Sequence, residues 1–516
     1  MSYETAIDQS PNAFEGGYID NLQDIKLPDD KSPYLRNVRI DGEAISNRPG
    51  HALFGELLGG TGIPKGIGAY LRPNTDDDRL IVRQNVSGTQ KLISINENGI
   101  QTNITTGSDI VSDNNMNFTS IGDNIYCMNG SDLYGKLSGT TYTIPTPGIV
   151  GFAPNFGIYF NGAHWVSGWG ANSNTLYKSA TDDPDNFSTL DADSYTFPDI
   201  IVGEGGTKEA MFVFTRDQVH RITDSSIQDV GGTLVYGSSP LEVRSGSAGH
   251  RSIVSFGKHI YYLTPSNKIK RIGIAGGGDF DPIELSHRNK RGINKIMKTL
   301  DSDQSKACAY ALEQDNLIKW CVKTKGKTYN DLCITYDVEE DEFLIDNNKP
   351  FSHGVYFKNQ PFTISEFEKK VFEDEKYYID DNAEIVNIYH TKRYSMNKPT
   401  RIKELWEALL ICEINALARL TQEILVDGIV ISTRVITAAD INTSTNGIGT
   451  GEIASEQIGG AGGGLGLQEF VLPTYKGNLQ VKGRFIQFRF TCRGKGARFL
   501  LKILQFRLEL LPEEAN

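Results

Sequence analysis

Close-spaced cysteines are absent from this chain. The six present are Cys127, Cys308, Cys321, Cys333, Cys412 and Cys492, and no two show the two-residue spacing of a zinc knuckle or a thiol redox motif. Each lies in an apolar, strand-like run such as Asn124-Ile125-Tyr126-Cys127, so buried free thiols are expected rather than disulfides, as in a protein made in a reducing cytoplasm. Histidine is scarce too. The eight are scattered, with no pair at helical metal-site spacing, and neither a metal nor a cofactor is expected. No apolar run approaches the ~18 residues of a membrane helix. The opening Met1-Ser2-Tyr3-Glu4 has neither the basic start nor the apolar stretch of a secretory signal. Positive charge is in deficit, with 52 Lys+Arg against 64 Asp+Glu and a net charge of −12. That argues against a protein that grips nucleic-acid phosphates, which needs a basic surface. It does not argue against a channel through which nucleic acid slides. Long helices alternating with strands are also missing, which excludes a parallel α/β sheet.

What is present points to strands. Of the 516 residues, 39% are hydrophobic and 10% aromatic, with 22 Tyr and 24 Phe against 4 Trp and 6 Met. The 53 glycines exceed the usual share of about 7% and suit many short strands joined by tight turns. The length predicts two to four domains. From about residue 50 to 390 one theme recurs: a short apolar run, a polar two-residue turn, another apolar run. Examples are Thr119–Ile121 with Asn124–Met128, Met211–Phe214 with Gln218–Ile222, Ile253–Phe256 with His259–Leu263, and Ala309–Leu312 with Asn316–Trp320. Similar hairpins are read at Phe156–Trp169 and Val371–Tyr389. Such repetition suggests a β-propeller, and blades of about 40 to 50 residues would number roughly seven. A pair of sandwiches is the rival all-β reading.

Past residue 391 the charge reverses. Residues 1–390 hold 36 basic and 52 acidic side chains, and residues 391–516 hold 16 and 12. The hairpin Glu423–Val426, Asp427-Gly428, Ile429–Ser432 and the long apolar runs 485–490 and 499–508 predict a C-terminal β-sandwich. Residues 403–421 fit both a helical and a strand period, and strand is preferred because an Asp-Gly hairpin follows. The Gly-rich loop 447–466 is no phosphate loop, since no Gly-Lys-Ser/Thr follows it. It reads as a flexible connection or as a loop projecting into a lumen or against a neighbour. The basic stretch 481–508 holds Lys482, Arg484, Arg489, Arg493, Lys495, Arg498, Lys502 and Arg507 and no acid. It is either a solvated strand face or a surface that docks on an acidic neighbour, with Arg484, Arg489, Arg493, Lys495 and Arg498 as the candidate docking residues.

Near the start, Leu27-Pro28-Asp29-Asp30 and Ser32-Pro33 forbid helix. Asn37–Ile40, Asp41-Gly42 and Ala44–Ser46 read as a hairpin, and Arg48-Pro49-Gly50 as a closing turn. Further on come Leu176-Tyr177-Lys178-Ser179, the turn Asp183-Pro184-Asp185-Asn186-Phe187 with Phe187 tucked beneath it, and the strands around Asp199–Gly203 and Met211–Asp217. This ordered set resembles the packaged-DNA stabilisation proteins of short-tailed phages, also called tail hub or nozzle proteins. The resemblance implies an all-β chain with an extended N-terminal arm and hairpin at 1–50, a β-propeller at 51–390 and a C-terminal β-sandwich domain at 391–516. It further implies a structural virion protein, made in the bacterial cytoplasm. Such a protein forms a homo-oligomeric ring, a hexamer, with portal and adaptor proteins above and tail-tip or fibre proteins as further neighbours. The ring retains packaged DNA and then forms the exit channel of the double-stranded DNA, with no catalysis.

Two other functions remain open from the residues. A propeller glycosidase needs paired carboxylates, but with 64 acidic residues some pair is always at hand. The nearest match to a sialidase box, Ser179-Ala180-Thr181-Asp182, has the wrong spacing. Asp29-Asp30 and Asp76-Asp77-Asp78 are contiguous and read as solvated turns rather than calcium loops. A glycan-binding adhesin could stack sugars on Trp165 and Trp169, although aromatic strand residues usually belong to a core.

Overall fold

The computed structural model describes residues 7–9, 14–437 and 468–511, apart from short gaps at 15, 21–22, 24–25, 29, 43, 56–61, 76, 105–108, 190, 229–233, 242–244, 274–281, 288–291 and 396–398. The Gly-rich stretch 447–466, Asp29 and Asp76 lie outside the described residues.

The chain is all-β, built of small antiparallel sheets. Among the described residues, seven of them have four strands and follow one another along the sequence. The first runs Ile63–Tyr70, Arg79–Val86, Thr89–Ile95, Gln101–Ile104. The second is Asn117–Ile121, Asn124–Met128, Gly135–Ser138, Thr141–Thr143, and the third is Phe156–Phe160, Ala163–Ser167, Thr175–Lys178, Asp193–Thr196. The fourth is Ile201–Gly206, Met211–Thr215, Val219–Gln228, Leu234–Pro240, and the fifth is Ile253–Phe256, His259–Leu263, Ile269–Gly273, Ile283–Glu284. The sixth is Cys308–Leu312, Leu317–Val322, Leu332–Asp337, Glu342–Asn347. The seventh takes His353–Phe357, Gln360–Ser365 and Lys370–Asp374 from late in the chain and His51–Leu53 from near its start. Tight turns set these registers. Asn161 and Gly162, for example, both have positive φ (47° and 74°), as a primed two-residue turn requires.

The first strands of successive sheets pack side by side, and that of the seventh returns to that of the first, closing a circuit. Glycine permits the approach. A Cβ on Gly68 would stand 2.5 Å from the Phe118 side chain, and one on Gly354 would stand 2.5 Å from Tyr310. The hydrophobic core is divided accordingly, one portion between each pair of neighbours. Leu80, Val82 and Ile93 of the first sheet meet Phe362, Ile364 and Val371 of the seventh. Trp165 and Leu176 of the third meet Met211 and Val213 of the fourth.

Among the described residues there are also two larger sheets. One orders Val38–Asp41, Ala44–Asn47, Phe499–Leu510, Lys403–Ile414 and Gln468–Gly483, with Ile7–Gln9 also on Phe499–Leu510. The other orders Tyr34–Arg36, Asn387–His390, Ile486–Arg493, Arg419–Val426 and Ile429–Thr437. They share one core, in which Leu410, Cys412 and Leu504 lie with Tyr389, Ile424 and Phe488, and this core continues into Trp320, Ile334 and Tyr336 of the sixth sheet. Residues 403–414 and 419–426 are strands, as preferred over helix. Two local readings need correction. Val371–Tyr389 is not a hairpin: Lys370–Asp374 stays in the seventh sheet, whereas Asn387–His390 pairs with Ile486–Arg493. Arg48-Pro49-Gly50 is not a closing turn but a largely buried connection from the Ala44–Asn47 strand to the closing strand His51–Leu53.

Candidate functional site

The densest concentration of buried charge lies where the N-terminal segment meets the sixth and seventh sheets. Antiparallel pairing sets His51 opposite Asp374 and Ala52 opposite Glu373, so the closing strand arrives beside a carboxylate pair. Lys319 Nζ donates to Asp374 Oδ2 at 2.9 Å and also reaches Glu375. Lys349 reaches the other Asp374 oxygen, and Tyr310 OH donates to Asp374 at 2.7 Å. Arg39 forks onto Asp346 at 2.9 and 2.8 Å and touches Glu375 at 3.2 Å. Arg48 donates to Asn37 Oδ1 (3.0 Å), to the Asn347 carbonyl (3.1 Å) and to both oxygens of Asp380, which also meets His51 Nδ1 at 3.0 Å. Four cations thus face four carboxylates, all nearly removed from water.

The charges persist because they balance. Burial would raise the Asp346 pKa, but Arg39 and Arg48 outweigh it and hold the carboxyl at about 2. Burial likewise opposes ionisation of Asp374, and the two lysines drive its pKa well below the ordinary carboxylate range. Burial would lower the Arg48 pKa, yet Asp380 keeps it above its ordinary value. Such a cluster adds little net stability but penalises every arrangement in which one partner is missing. Its members come from the arm (Arg39, Arg48), the closing strand (His51), the sixth sheet and the residue beyond it (Lys319, Asp346, Lys349), and the end of the seventh sheet with the segment after it (Asp374, Glu375, Asp380). It is a clasp.

A second polar centre lies where the first strands begin. Arg251, just before the fifth sheet, donates to the Ser352 carbonyl (2.9 Å) and the Ser305 carbonyl (3.2 Å) and lies 3.2 Å from His353 Nε2. With its amide turned to satisfy both ends, Asn115 accepts from Arg251 and donates to Glu366, which stands 3.5 Å from Lys65. This network ties the fifth, sixth and seventh sheets to the segment entering the second. It borders an open cavity of about 460 Å³ lined by Asn117, Asn155, Phe156, Ser173 and His250 among others. Burial, helped by Arg251, pushes His250 down to about 4, and burial pushes Glu204 up to about 8 against a hydrogen bond from Ser167. Both shifts favour the neutral side chain.

Part of the basic stretch is engaged within the chain. Arg489 pairs with Glu423, Lys502 with Glu413, and Lys482 lies 3.8 Å from Glu404. Arg498 stacks over Tyr378, its guanidinium 4.8 Å from the ring centre. Arg484, Arg493 and Lys495 are exposed. Trp165 and Trp169 are buried in two inter-sheet cores, so neither offers a sugar platform. Phe187 tucks under its Asp-Pro turn, against Tyr134 and Phe152. Asp77 binds Arg72 and Arg79, as a surface turn would. All six cysteines are buried free thiols. Among the described residues, no three His, Cys, Asp or Glu side chains converge to hold a metal, and no helix is long and apolar enough to cross a membrane.

Sequence reasoning missed the clasp, although it left a signal. Lys319 interrupts the apolar run Leu317–Val322, and a lysine inside such a strand needs a buried partner.

No known family model matches the chain, and no curated protein matches it. Among solved structures, it is similar to the computationally designed Ika8 protein, at 8% identity over 63% of this chain and 99% of that one, with a TM-score of 0.36. A likeness of that degree carries no argument about function.

Proposed function

We propose that this chain is a structural virion protein of the tail-hub type. The seven four-stranded sheets are read as the blades of a propeller, and the two larger sheets as a β-sandwich that the N-terminal arm completes. Several copies form a ring that retains packaged DNA and then serves as its exit channel, with neighbouring tail proteins above and below. The chain's role is shape and not turnover. An acidic lumen, drawn from the excess of acids in residues 1–390, would repel phosphate and let DNA slide.

One observation carries this reading. The residues on which the resemblance to tail hub proteins rests are not loop decoration: Asn37 and Arg48, with Arg39 between them, are buried in the clasp that joins arm, sixth sheet and seventh sheet. A signature that locks a wall segment shut fits a protein under mechanical load. The test is imaging of phage particles with a label specific for this chain. The reading expects label on the tail axis below the capsid. Label on side fibres, or none on particles, contradicts it.

A further inference from the structure

The clasp holds more chemistry than closure requires. Lys319, Lys349 and Asp374 are fully buried, and Tyr310 nearly so. Aromatic rings surround them: Lys319 Nζ lies 5.8 Å from the Tyr310 ring centre, and Lys349 Nζ lies 5.4 Å from that of Phe351. Tyr310 stands opposite Lys319 across the strand pair, which sets both side chains on one face of the sixth sheet.

A primary amine and a carboxyl group are thus held together out of water. Lys319 Nζ is 2.9 Å from Asp374 Oδ2 and also touches Glu375 Oε1. Arg39 donates to that same Glu375 oxygen at 3.2 Å, which fixes the carboxylate beside the amine. Lys349 donates to Asp374 Oδ1, and Tyr310 OH donates to Oδ2 at 2.7 Å. These are the parts of an acyl transfer: an amine nucleophile, a carboxyl carbon, a base on the amine, and donors on both carboxyl oxygens.

We propose that Lys319 and Asp374 condense into an intramolecular amide bond once the chain has folded, tying the sixth sheet covalently to the seventh. The salt-bridged form is the one that folds, and the bond closes from it. The Lys319 ammonium passes one proton to Glu375, and the freed amine attacks Asp374 Cγ. Lys349 stabilises the negative charge that gathers on Oδ1. The bond from Cγ to Oδ2 then breaks. Oδ2 leaves as water with the proton from Glu375 and a second proton from the attacking nitrogen, while the third stays on the amide. One ammonium and one carboxylate become an uncharged amide and water, so no oxidant or cofactor is needed. The clasp loses one charge of each sign and stays balanced.

Burial favours the product. Hydration holds an amine and an acid as ions in water, whereas here both are stripped of it, and the amide removes one buried charge of each sign. Fixed contact supplies an effective concentration that reaches about 10⁵ to 10⁸ M in well-oriented pairs. Asp374 ends the strand that pairs with His51–Leu53, so the bond secures the circuit of sheets at its closing point. It forms within a single copy and does not depend on ring formation.

The test is mass spectrometry of the folded full-length chain. The chain is expected to be one water lighter than its sequence. Trypsin should yield residues 307–323 joined to 371–376, since it does not cut after an amidated Lys319. Glu375→Gln should slow closure by about a hundredfold, followed by the same joined peptide. The wild-type peptide map decides the bond even where that variant fails to fold. A wild-type chain that keeps its full mass, or that loses water without the joined peptide, overturns the proposal. Joining of 371–376 to 328–358 overturns Lys319 as the nucleophile in favour of Lys349. Undiminished closure in Glu375→Gln overturns the role of Glu375.

Discussion

At the scale of single residues, the buried charges decide how this protein responds to mutation and pH. Asp374 neutralises Lys319 and Lys349 at once. Asp374→Ala strands the buried Lys349 ammonium and leaves Lys319 with Glu375 alone, and should destabilise the chain by about 3–5 kcal/mol, read from the denaturant midpoint. Replacing Lys349 and Asp374 together by apolar residues should be far milder, because one charge of each sign is removed and Lys319 keeps Glu375. Glu204 runs the other way. Its folded pKa of about 8 lies above the ordinary 4.5, so its contribution is fully present below pH 4.5 and is lost as pH rises through about 8. Glu204→Gln keeps an acceptor for Ser167 and should gain stability relative to wild type by about 3 kcal/mol between pH 4 and pH 7. Asp346, Asp374 and Asp380 have the opposite sign. Their folded pKa values are depressed, so their stabilisation is present above the ordinary carboxylate value and is lost as pH falls, through about 2 for Asp346. Thermal scans across pH 2 to 9 would resolve both limbs.

At the scale of elements, the short strand His51–Leu53 matters more than its three residues suggest. It supplies the fourth strand of a sheet whose other three strands lie some 300 residues later. Ala52 pairs with Glu373, and Ala52→Pro removes a ladder donor there. A loss of about 2–3 kcal/mol is expected, with new proteolytic cleavage near 366–380, where Lys370–Asp374 becomes an edge. Unchanged melting and cleavage would show that the seventh sheet holds without its N-terminal strand. Legibility follows the same line between local and distant. The hairpins around Gly122, Gly162 and Gly257 are plain in the sequence because both strands and the turn lie within a dozen residues. Residues 403–414 satisfy two periods at once, and only sheet partners on both sides settle them as strand. Val371–Tyr389 misleads because Arg48, more than 300 residues earlier, holds Asp380 and sends the chain away from a hairpin. The clasp is legible only as anomalies, such as Lys319 in an apolar strand or Arg48 before a proline. No local rule says that such charges meet.

At the scale of the whole molecule, the divided core has a consequence. Each sheet depends on both neighbours, so the circuit should unfold as one unit and resist distortion. The basic stretch contributes less than its composition implies. Arg489 is tied to Glu423 and Arg498 to Tyr378 within the chain, so a charge reversal that includes them confounds folding with assembly. Arg484, Arg493 and Lys495, which are exposed, make the cleaner set. Changing all three to Glu should leave the melting temperature unchanged and weaken assembly. The central claim is that a stiff all-β wall segment works by joining copies of itself around a channel. Electron microscopy of the purified full-length chain tests it most directly. The account predicts closed multi-copy rings around an opening that admits a DNA duplex, while lone particles at every concentration would contradict it.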